Sequence, residues 1–277
     1  MNNKTIGVLG YGNMGSAIAL QLKSKYQVWT FDKDKNKTRN LSDIEVANSP
    51  VDLVNKVDTL ILAVKPQDFD TVLNEIKDCV DDKIIISIAA GITTGCIEKC
   101  LGKVRVVRVM PNIGAKIGKA ESVLCKGKNA RDEDIDFVQE LFNHIGKTWI
   151  MKEQMINAAT AISGSGPAYI YYDMEIRKVD PLNVPEDFER EYIKRLTKAA
   201  ERVGFDSQTA VDLASSTTSS SLQLTAVSMV SPVELRKQIT SKGGTTEAAV
   251  KILLEGGSWE LAAEAAKKRA EQLSKKE

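Results

Sequence analysis

Short apolar runs alternate with segments of helical period along the first half of the chain. The apolar runs lie at 5–10, 26–31, 58–64, 83–89 and 104–110, with two more at 121–127 and 147–151. Helical spacing marks 13–25, 67–79, 93–100 and 132–144 between them. Near-continuous apolar strands separated by helices predict an α/β domain built on a mostly parallel sheet with both faces covered.

The pattern changes after about residue 152, where strand-like runs stop and Ala, Ser, Thr, Glu and Lys dominate. Helical period marks 155–163, 167–178, 186–203, 207–227, 232–240, 245–255 and 258–275. We therefore expect two domains, 1–153 with the sheet and 154–277 all helical. Because helices need partners for their apolar faces, we expect the helical half to build a dimer interface, with a self-contained bundle as the alternative.

Composition narrows the class of protein. The chain has 277 residues, 43% hydrophobic and 27% charged, with a formal net charge of +1. These values are ordinary for a soluble globular protein and give no bias toward nucleic acid or an anionic membrane. No apolar run reaches the roughly 20 residues that span a bilayer. The start of the sequence has no charged-then-apolar leader, so we expect a cytoplasmic protein.

The cysteines give no metal-binding pattern. Cys79, Cys96, Cys100 and Cys125 include no C-x-x-C pair, and the single histidine, His144, is distant in sequence from them. We expect reduced thiols and no metal site.

A glycine-rich loop follows the first apolar run. Residues 10–15 read Gly-Tyr-Gly-Asn-Met-Gly, a G-x-G-x-x-G pattern between a strand and a helix. In that context the first glycine permits a tight turn, the second lets the backbone approach a pyrophosphate, and the third packs the helix on the strand. The helix N-terminus adds free N–H groups and a partial positive charge. The loop predicts a Rossmann-like dinucleotide-binding domain.

Asp32 ends the second strand about twenty residues after the first glycine. A carboxylate there usually accepts a hydrogen bond from the adenosine ribose and favours NAD over NADP. Lys33, Lys35 and Lys37 follow at once and are suited either to a 2′-phosphate or simply to solubility. The sequence therefore favours NAD(H) without settling the choice between NAD(H) and NADP(H).

Other strand ends add candidate cofactor contacts. Lys65 follows the strand 58–64 at the carboxyl edge, where ligands bind in such sheets, and Gly91 follows the strand 83–89. Lys65 is either catalytic, a lining residue of the cleft or only a capped strand end. Asn112 after the strand 104–110 is suited to bind the cofactor or to hold a turn.

Six motifs occur in order along the chain: GYGNMG (10–15), LAVKP (62–66), AAGIT (89–93), RVMPN (108–112), SGSGPAY (163–169) and SPVELRKQITSKGGTTEAAV (231–250). Taken together, these motifs resemble those of the pyrroline-5-carboxylate reductases, which make proline. The last two are specific, whereas the first is shared by many dehydrogenases. The cofactor-binding residues predicted from the motifs and this resemblance are Gly10, Gly12, Asn13, Met14, Gly15, Asp32, Lys33, Ala63, Val64, Lys65, Pro66, Ala90, Gly91 and Asn112.

The resemblance implies an NAD(P)H-dependent oxidoreductase that reduces the C=N bond of 1-pyrroline-5-carboxylate to give L-proline. A helix that starts near Thr245 would offer N–H groups to the substrate carboxylate, and Gly243 and Gly244 would let it come close. Ser241 and Thr245 would add hydroxyl donors. The resemblance assigns the contact with the ring nitrogen to Thr246. The implied substrate-binding residues are Ser241, Gly243, Gly244, Thr245 and Thr246.

The chain departs from the family pattern in two places. The family usually reads Ser-Pro-Gly-Gly-Thr-Thr, whereas this chain has Lys242 at the proline position. Residues 177–196 look like an insertion, in which Pro181 and Pro185 should break the helix and the charge run is a solvated helix face. The insertion leaves open whether the family's larger assembly forms, although we expect a homodimer or larger homo-oligomer.

Two other functions stay open from the sequence. A β-hydroxyacid-type dehydrogenase would need a lysine on the first helix of its second domain, and residues 157–176 contain none. A non-catalytic dinucleotide sensor would keep the fold without the reaction.

Overall fold

The computed structural model describes residues 4–274, which divide into two compact units. The first unit comprises the residues up to Val109 together with Leu124–Glu153, and the second comprises Met110–Val123 together with the residues from Gln154 onward. The division into two domains at residues 153 and 154 stays a prediction.

An eight-stranded sheet forms the centre of the α/β part. Its strands are β1 Thr5–Leu9, β2 Gln27–Phe31, β3 Glu45–Val46, β4 Thr59–Leu62, β5 Ile84–Ser87, β6 Arg105–Met110, β7 Ala120–Lys126 and β8 Gly146–Ile150, in the order β3-β2-β1-β4-β5-β6-β7-β8. The pairings from β3 through β6 are parallel, as the apolar runs predict. Leu9 pairs with Phe31 and with Leu62, so the residues that follow these three strands meet at one edge of the sheet.

Among residues 4–274, five α-helices belong to the same unit as this sheet. They are α1 Asn13–Leu22, α2 Pro50–Asn55, α3 Phe69–Ile76, α4 Thr94–Leu101 and α5 Asp132–Asn143. Apolar side chains from the strands and helices, such as Leu60, Phe69 and Ile85, are almost completely buried in one core. The sequence pattern gave no indication of β3 or α2. Both are short, and α2 begins through local capping, with Ser49 accepting from Asp52 N–H and Pro50 in the first turn.

From Gln154 onward, the second unit is helical, as predicted. Its helices are α6 Ile156–Ala159, α7 Gly166–Arg177, α8 Glu186–Arg202, α9 Ser207–Ser228, α10 Pro232–Ile239, α11 Thr245–Leu254 and α12 Trp259–Ser274. One boundary differs, because the segment predicted as a single helix at 155–163 divides into α6 and a π-helical turn, Thr160–Gly164. Trp259 fills the core of this unit, stacked on Tyr192 with ring centroids 5.8 Å apart.

The proline-containing segment breaks the helix as expected, with α7 ending at Arg177 and α8 beginning at Glu186. The prediction of a solvated charge run holds only in part. Arg195 donates to the buried Asp173 at 2.7 Å and lies over the Trp259 ring at 4.1 Å. These contacts fasten α8 to the helical core.

Candidate active site

The three glycines of the first loop occupy three different environments. Gly10 has φ +103°, and a Cβ there would lie 2.6 Å from the carbonyl oxygen of Ala63. A Cβ on Gly15 would lie 2.0 Å from the carbonyl oxygen of Gly10, so only glycine lets α1 pack against β1. A Cβ on Gly12 would meet nothing within 4 Å. The open space at Gly12 lies at the N-terminus of α1, which has no side-chain cap, and this arrangement fits a phosphate group.

Asp32 is buried, and both of its carboxylate oxygens are engaged within the protein. Oδ2 accepts from Tyr11 N–H at 2.7 Å and Oδ1 accepts from Asp34 N–H at 2.9 Å, while Lys37 Nζ lies 3.2 Å from each. Burial alone would raise the pKa of Asp32, but the hydrogen bonds from Asp34, Tyr11 and Lys37 outweigh it and hold the pKa below its usual value. Asp32 therefore fastens the first glycine loop to the end of β2.

The three lysines after Asp32 differ in their surroundings. Lys33 pairs with Asp68 at 2.9 Å, and Lys37 pairs with Asp32. Lys35 instead lines a cavity of about 530 Å³ beside the ends of β2 and β3, together with Asp32 and Arg39. Arg39 was not among the residues selected from the sequence, although it continues the same basic run.

The other strand ends lie where the register places them. Ala63, Val64, Lys65 and Pro66 follow β4, with Ala63 against Gly10 and Lys65 exposed. Gly91, with φ +83°, follows β5 after the half-buried Ala90. The exposed Asn13 and the half-buried Met14 begin α1. Contact of these residues with a cofactor stays a prediction.

Asn112 holds a turn, which was one of its two predicted roles. Its Oδ1 accepts from the N–H groups of Gly114 and Glu121, each at 3.0 Å, and the residue is 2% exposed. Its Nδ2 has no hydrogen-bond partner within the part of the chain that the structure describes. Contact between this buried amide and a cofactor stays a prediction.

The second glycine loop leads into α11 in the helical unit. The first main-chain bond of α11 runs from Ala248 N–H to the Gly244 carbonyl at 3.3 Å, so the N–H groups of Thr245 and Thr246 precede the helical ladder. Gly244 is the N-cap and offers no side-chain capping bond. A helix start of this kind can accept an anion.

Neighbouring side chains shape this loop. A Cβ on Gly244 would lie 2.2 Å from Ser241 Oγ, so glycine is needed for Ser241 to fold back on the loop. Gly243 has φ +70°, which favours glycine for a different reason. Its N–H donates to Glu247 Oε2 at 2.8 Å, and its carbonyl accepts from Arg269 Nε at 2.8 Å. Neither Glu247 nor Arg269 was identified from the sequence.

Three buried hydroxyl groups meet at the start of α11. Ser165 Oγ lies 3.1 Å from Thr246 Oγ1 and 3.3 Å from Thr245 Oγ1. Ser165 is fully buried, and Thr245 and Thr246 are 8% and 5% exposed. Ser165 was not selected from the sequence, although it lies in the SGSGPAY segment and directly follows the π-helical turn. The site therefore combines main-chain N–H groups outside the helical ladder with three buried hydroxyls in hydrogen-bonding distance of one another.

Strong acid–base groups are not part of this hydroxyl cluster, whose members are Ser and Thr. Two charged side chains from neighbouring helices, Glu247 and Arg269, are engaged with Gly243 of the loop. Among residues 4–274, no group of three or more His, Cys, Asp or Glu side chains is arranged to hold a metal ion. Such a site suits a reaction that needs binding and orientation more than proton abstraction.

Comparisons with known proteins match two family models to different parts of the chain. Residues 5–91 match the family model described as NADP oxidoreductase coenzyme F420-dependent, and residues 189–275 match the model for pyrroline-5-carboxylate reductase dimerisation. The pyrroline-5-carboxylate reductase of Methanosarcina acetivorans is 33% identical over 267 residues, which cover 93% of this chain and 92% of that protein.

Two solved structures extend the likeness to three dimensions. The structure of a pyrroline-5-carboxylate reductase from Coxiella burnetii is 30% identical, with a TM-score of 0.66, and the match covers 99% of this chain and 100% of that one. The pyrroline carboxylate reductase of Plasmodium falciparum with NADP bound is 27% identical, with a TM-score of 0.65, and 99% of each chain is covered.

Proposed function

The chain belongs to the pyrroline-5-carboxylate reductase family, and from this membership we infer that it reduces 1-pyrroline-5-carboxylate to L-proline with NAD(P)H. The observation that carries the inference is the start of α11, where N–H groups outside the helical ladder lie beside three buried hydroxyls. In a small cyclic imine that bears a carboxylate, the carboxylate would bind the N–H groups and the ring nitrogen would contact the hydroxyls.

The first glycine loop would hold the cofactor. The open space at Gly12 and the N–H groups at the start of α1 suit the pyrophosphate, and the cavity lined by Asp32, Lys35 and Arg39 suits the adenosine end. The internal bonds of Asp32 occupy the carboxylate that would otherwise select NAD. The exposed Lys35 and Arg39 would supply positive charge for a 2′-phosphate. When bound, the reduced nicotinamide supplies the hydride.

The loop before α11 would bind the substrate carboxylate. The N–H groups of Thr245 and Thr246 lie at the start of α11, before its first main-chain hydrogen bond. Gly243 and Gly244 have no side chains that would keep the carboxylate away from the backbone. Ser241 and Thr245 add hydroxyl groups. A hydrogen bond to a charged group contributes about 1.5–3 kcal/mol, so several such bonds would fix the ring in one orientation.

Thr246 would contact the ring nitrogen. As the imine carbon gains a hydride, the electron pair of the C=N bond passes to nitrogen, which ends as an amine with one added proton. A threonine hydroxyl is a poor general acid by its pKa. We therefore assign Thr246 to orienting the nitrogen and stabilising its N–H, with the substrate binding largely as the protonated iminium.

We also propose that the chain forms a homodimer or a larger homo-oligomer in the cytoplasm. The match of residues 189–275 to the dimerisation model supports association through the helical unit. Within residues 4–274, no helix has the length and apolarity needed to cross a membrane. The near-neutral net charge of +1 favours no nucleic-acid partner.

The activity is tested by following NADPH and NADH oxidation in the presence of 1-pyrroline-5-carboxylate, and separately with a 3-oxo acid. We expect acceleration by the imine alone. Oxidation with the 3-oxo acid would support the β-hydroxyacid-type dehydrogenase, and no oxidation with either compound would support a non-catalytic sensor. Running both cofactors in the same assay measures the preference that the sequence left open.

A further inference from the structure

Ser165 joins two residues that the proposed function gives different tasks. Its fully buried hydroxyl lies between Thr246 Oγ1 at 3.1 Å and Thr245 Oγ1 at 3.3 Å, although both threonines are about 80 positions away in sequence. Within the described part of the chain, these are the only hydrogen-bond partners of Ser165 Oγ. Because a hydroxyl has one proton, a buried hydroxyl with two hydroxyl partners donates to one of them and accepts from the other. The directions of the two bonds are therefore linked.

We propose that Ser165 is a positioning residue that fixes the directions of the Thr246 and Thr245 hydroxyls for the substrate. The inference rests on the proposed function, because it assigns the two threonines to the two polar groups of a cyclic imine carboxylate. Ser165 itself need not touch the substrate.

The direction of the hydrogen bonds among the three hydroxyls follows from the number of protons that they carry. Each hydroxyl carries one proton and two lone pairs, and each can donate one hydrogen bond. If Thr246 donates to Ser165 and Ser165 donates to Thr245, the Thr246 oxygen keeps a lone pair directed elsewhere. Thr245 then keeps its own proton. The chain of hydroxyls thus ends in an acceptor at Thr246 and a donor at Thr245.

These two ends match an iminium carboxylate. The N–H of a protonated imine needs an acceptor, which Thr246 would supply, and the carboxylate needs donors, of which Thr245 would supply one. The opposite direction of the hydroxyl chain would place a donor at the iminium N–H and an acceptor at the carboxylate. Without Ser165, Thr246 Oγ1 would lose this hydrogen bond and with it the constraint on the direction of its proton.

The local backbone holds Ser165 in this place. Its N–H donates to the Thr160 carbonyl at 2.8 Å, a bond across five residues that closes the π-helical turn. Its carbonyl accepts from Ala168 N–H at 2.9 Å at the start of α7. A Cβ on the adjacent Gly166 would lie 3.1 Å from Leu196, so there is little room for this segment to shift. Single π-helical turns inside helices are common at functional sites.

Ser163 provides a matched control for Ser165. It is fully buried two residues earlier, and its hydroxyl donates to the Ala159 carbonyl at 3.0 Å. Ser163→Ala and Ser165→Ala therefore remove the same group from the same segment at equal burial. Only Ser165→Ala removes a partner of Thr246.

The test compares wild type, Ser163→Ala, Ser165→Ala, Thr246→Ala and the Ser165→Ala/Thr246→Ala double variant in the imine-dependent assay. We expect Ser165→Ala to lower kcat about tenfold, while the Kd for NADPH and the melting temperature stay near those of Ser163→Ala. Because the effect of Ser165 on kcat passes through Thr246, whereas Thr245 is assigned to the KM for the imine, the kcat of the double variant should be no lower than that of Thr246→Ala alone. Ser165→Cys keeps a weak hydrogen-bonding group and should recover part of the rate, and it replaces Ser165→Ala if that variant does not fold.

Wild-type kcat in Ser165→Ala would overturn the inference, as would a double variant whose loss equals the product of the two single losses. A wild-type enzyme that does not reduce the imine would instead overturn the proposed function. The two failures are thus distinguished by the same set of proteins.

Discussion

Both glycine loops of this protein open a helix, but they differ in what surrounds the bare backbone. At the first loop the glycines meet main-chain atoms or empty space, with Gly15 against Gly10 and Gly12 open. At the loop before α11 the neighbours are side chains, with Ser241 against Gly244 and Arg269 bound to Gly243. The first arrangement suits a group that all dinucleotides share, whereas the second suits a particular small substrate.

The difference shows how recognition is divided between backbone and side chains. A pyrophosphate needs several N–H donors and room, which a tight βα turn supplies without polar side chains. A small imine must be oriented as well as bound, and the hydroxyls of Ser165, Thr245 and Thr246 add direction to the donors of the helix start.

The largest expected effect separates two glycines within the first loop. Gly15→Ala would place a Cβ 2.0 Å from the Gly10 carbonyl oxygen, so we expect a loss of several kcal/mol of folding stability and of cofactor binding. The added Cβ of Gly12→Ala meets no protein atom within 4 Å, so this variant should fold like wild type. It should nevertheless bind NADPH at least tenfold more weakly, because the Cβ enters the space assigned to the pyrophosphate. Thermal unfolding and a fluorescence titration with NADPH measure both. Equal stability of the two variants would contradict the packing role of Gly15.

At the second loop, Thr246→Ala should lower kcat about a hundredfold, because it removes the group that orients the ring nitrogen. The Kd for NADPH should stay within about twofold of the wild-type value, since cofactor binding is assigned to the other loop. Steady-state kinetics and cofactor titration check the two halves of this prediction. Unchanged turnover would remove Thr246 from the mechanism.

Asp32→Asn should lower the free energy of unfolding at pH 7 by about 1–3 kcal/mol, because a buried carboxylate accepts from Tyr11, Asp34 and Lys37. Burial would raise the pKa of Asp32, but these bonds lower it overall. The stabilisation is therefore complete above the unfolded pKa of about 3.9 and is lost as the pH falls through the lower folded pKa. Urea unfolding from pH 7 to pH 3 should show the difference between variant and wild type shrinking at the acidic end. If the difference in the free energy of unfolding stayed constant over this pH range, it would contradict a stabilising role for the ionised Asp32 carboxylate.

The smallest expected effect lies in the carboxylate contact of the second loop. Thr245→Val removes one hydroxyl donor but keeps the backbone N–H groups, so the KM for the imine should rise about fivefold to tenfold. The change in kcat should be smaller than that of Thr246→Ala. Substrate saturation curves at fixed NADPH measure the two constants. A large loss of kcat with unchanged KM would assign Thr245 to the ring nitrogen instead.

The sequence predicted the fold well where the pattern was long and regular. The helical period located all the major helices of the second unit, and the apolar runs located the parallel strands. The two-residue β3 and the six-residue α2 were missed because neither is long enough to show a period. The π-helical turn was missed because one extra residue in a turn does not interrupt the helical spacing of the apolar positions over 155–163.

The candidate site was predictable only in its local parts. The glycine loops follow from short motifs, because the conformation of a loop depends mainly on its own residues. Ser165 meets Thr246 through packing between α7 and α11, and no local pattern signals a contact between residues so far apart. Arg269 reaches Gly243 from α12 in the same way. The ribose contact of Asp32 stays a prediction, and the bonds that its oxygens accept from Tyr11 and Asp34 N–H were not foreseen from the sequence.

The central claim is that the start of α11 binds the substrate carboxylate and that Thr246 contacts the ring nitrogen. A crystal structure of the protein with bound proline tests it most directly. We expect the proline carboxylate on the N–H groups of residues 245–247 and the proline nitrogen within hydrogen-bonding distance of Thr246 Oγ1. A proline molecule bound elsewhere, with residues 241–246 free of ligand contacts, would contradict the account.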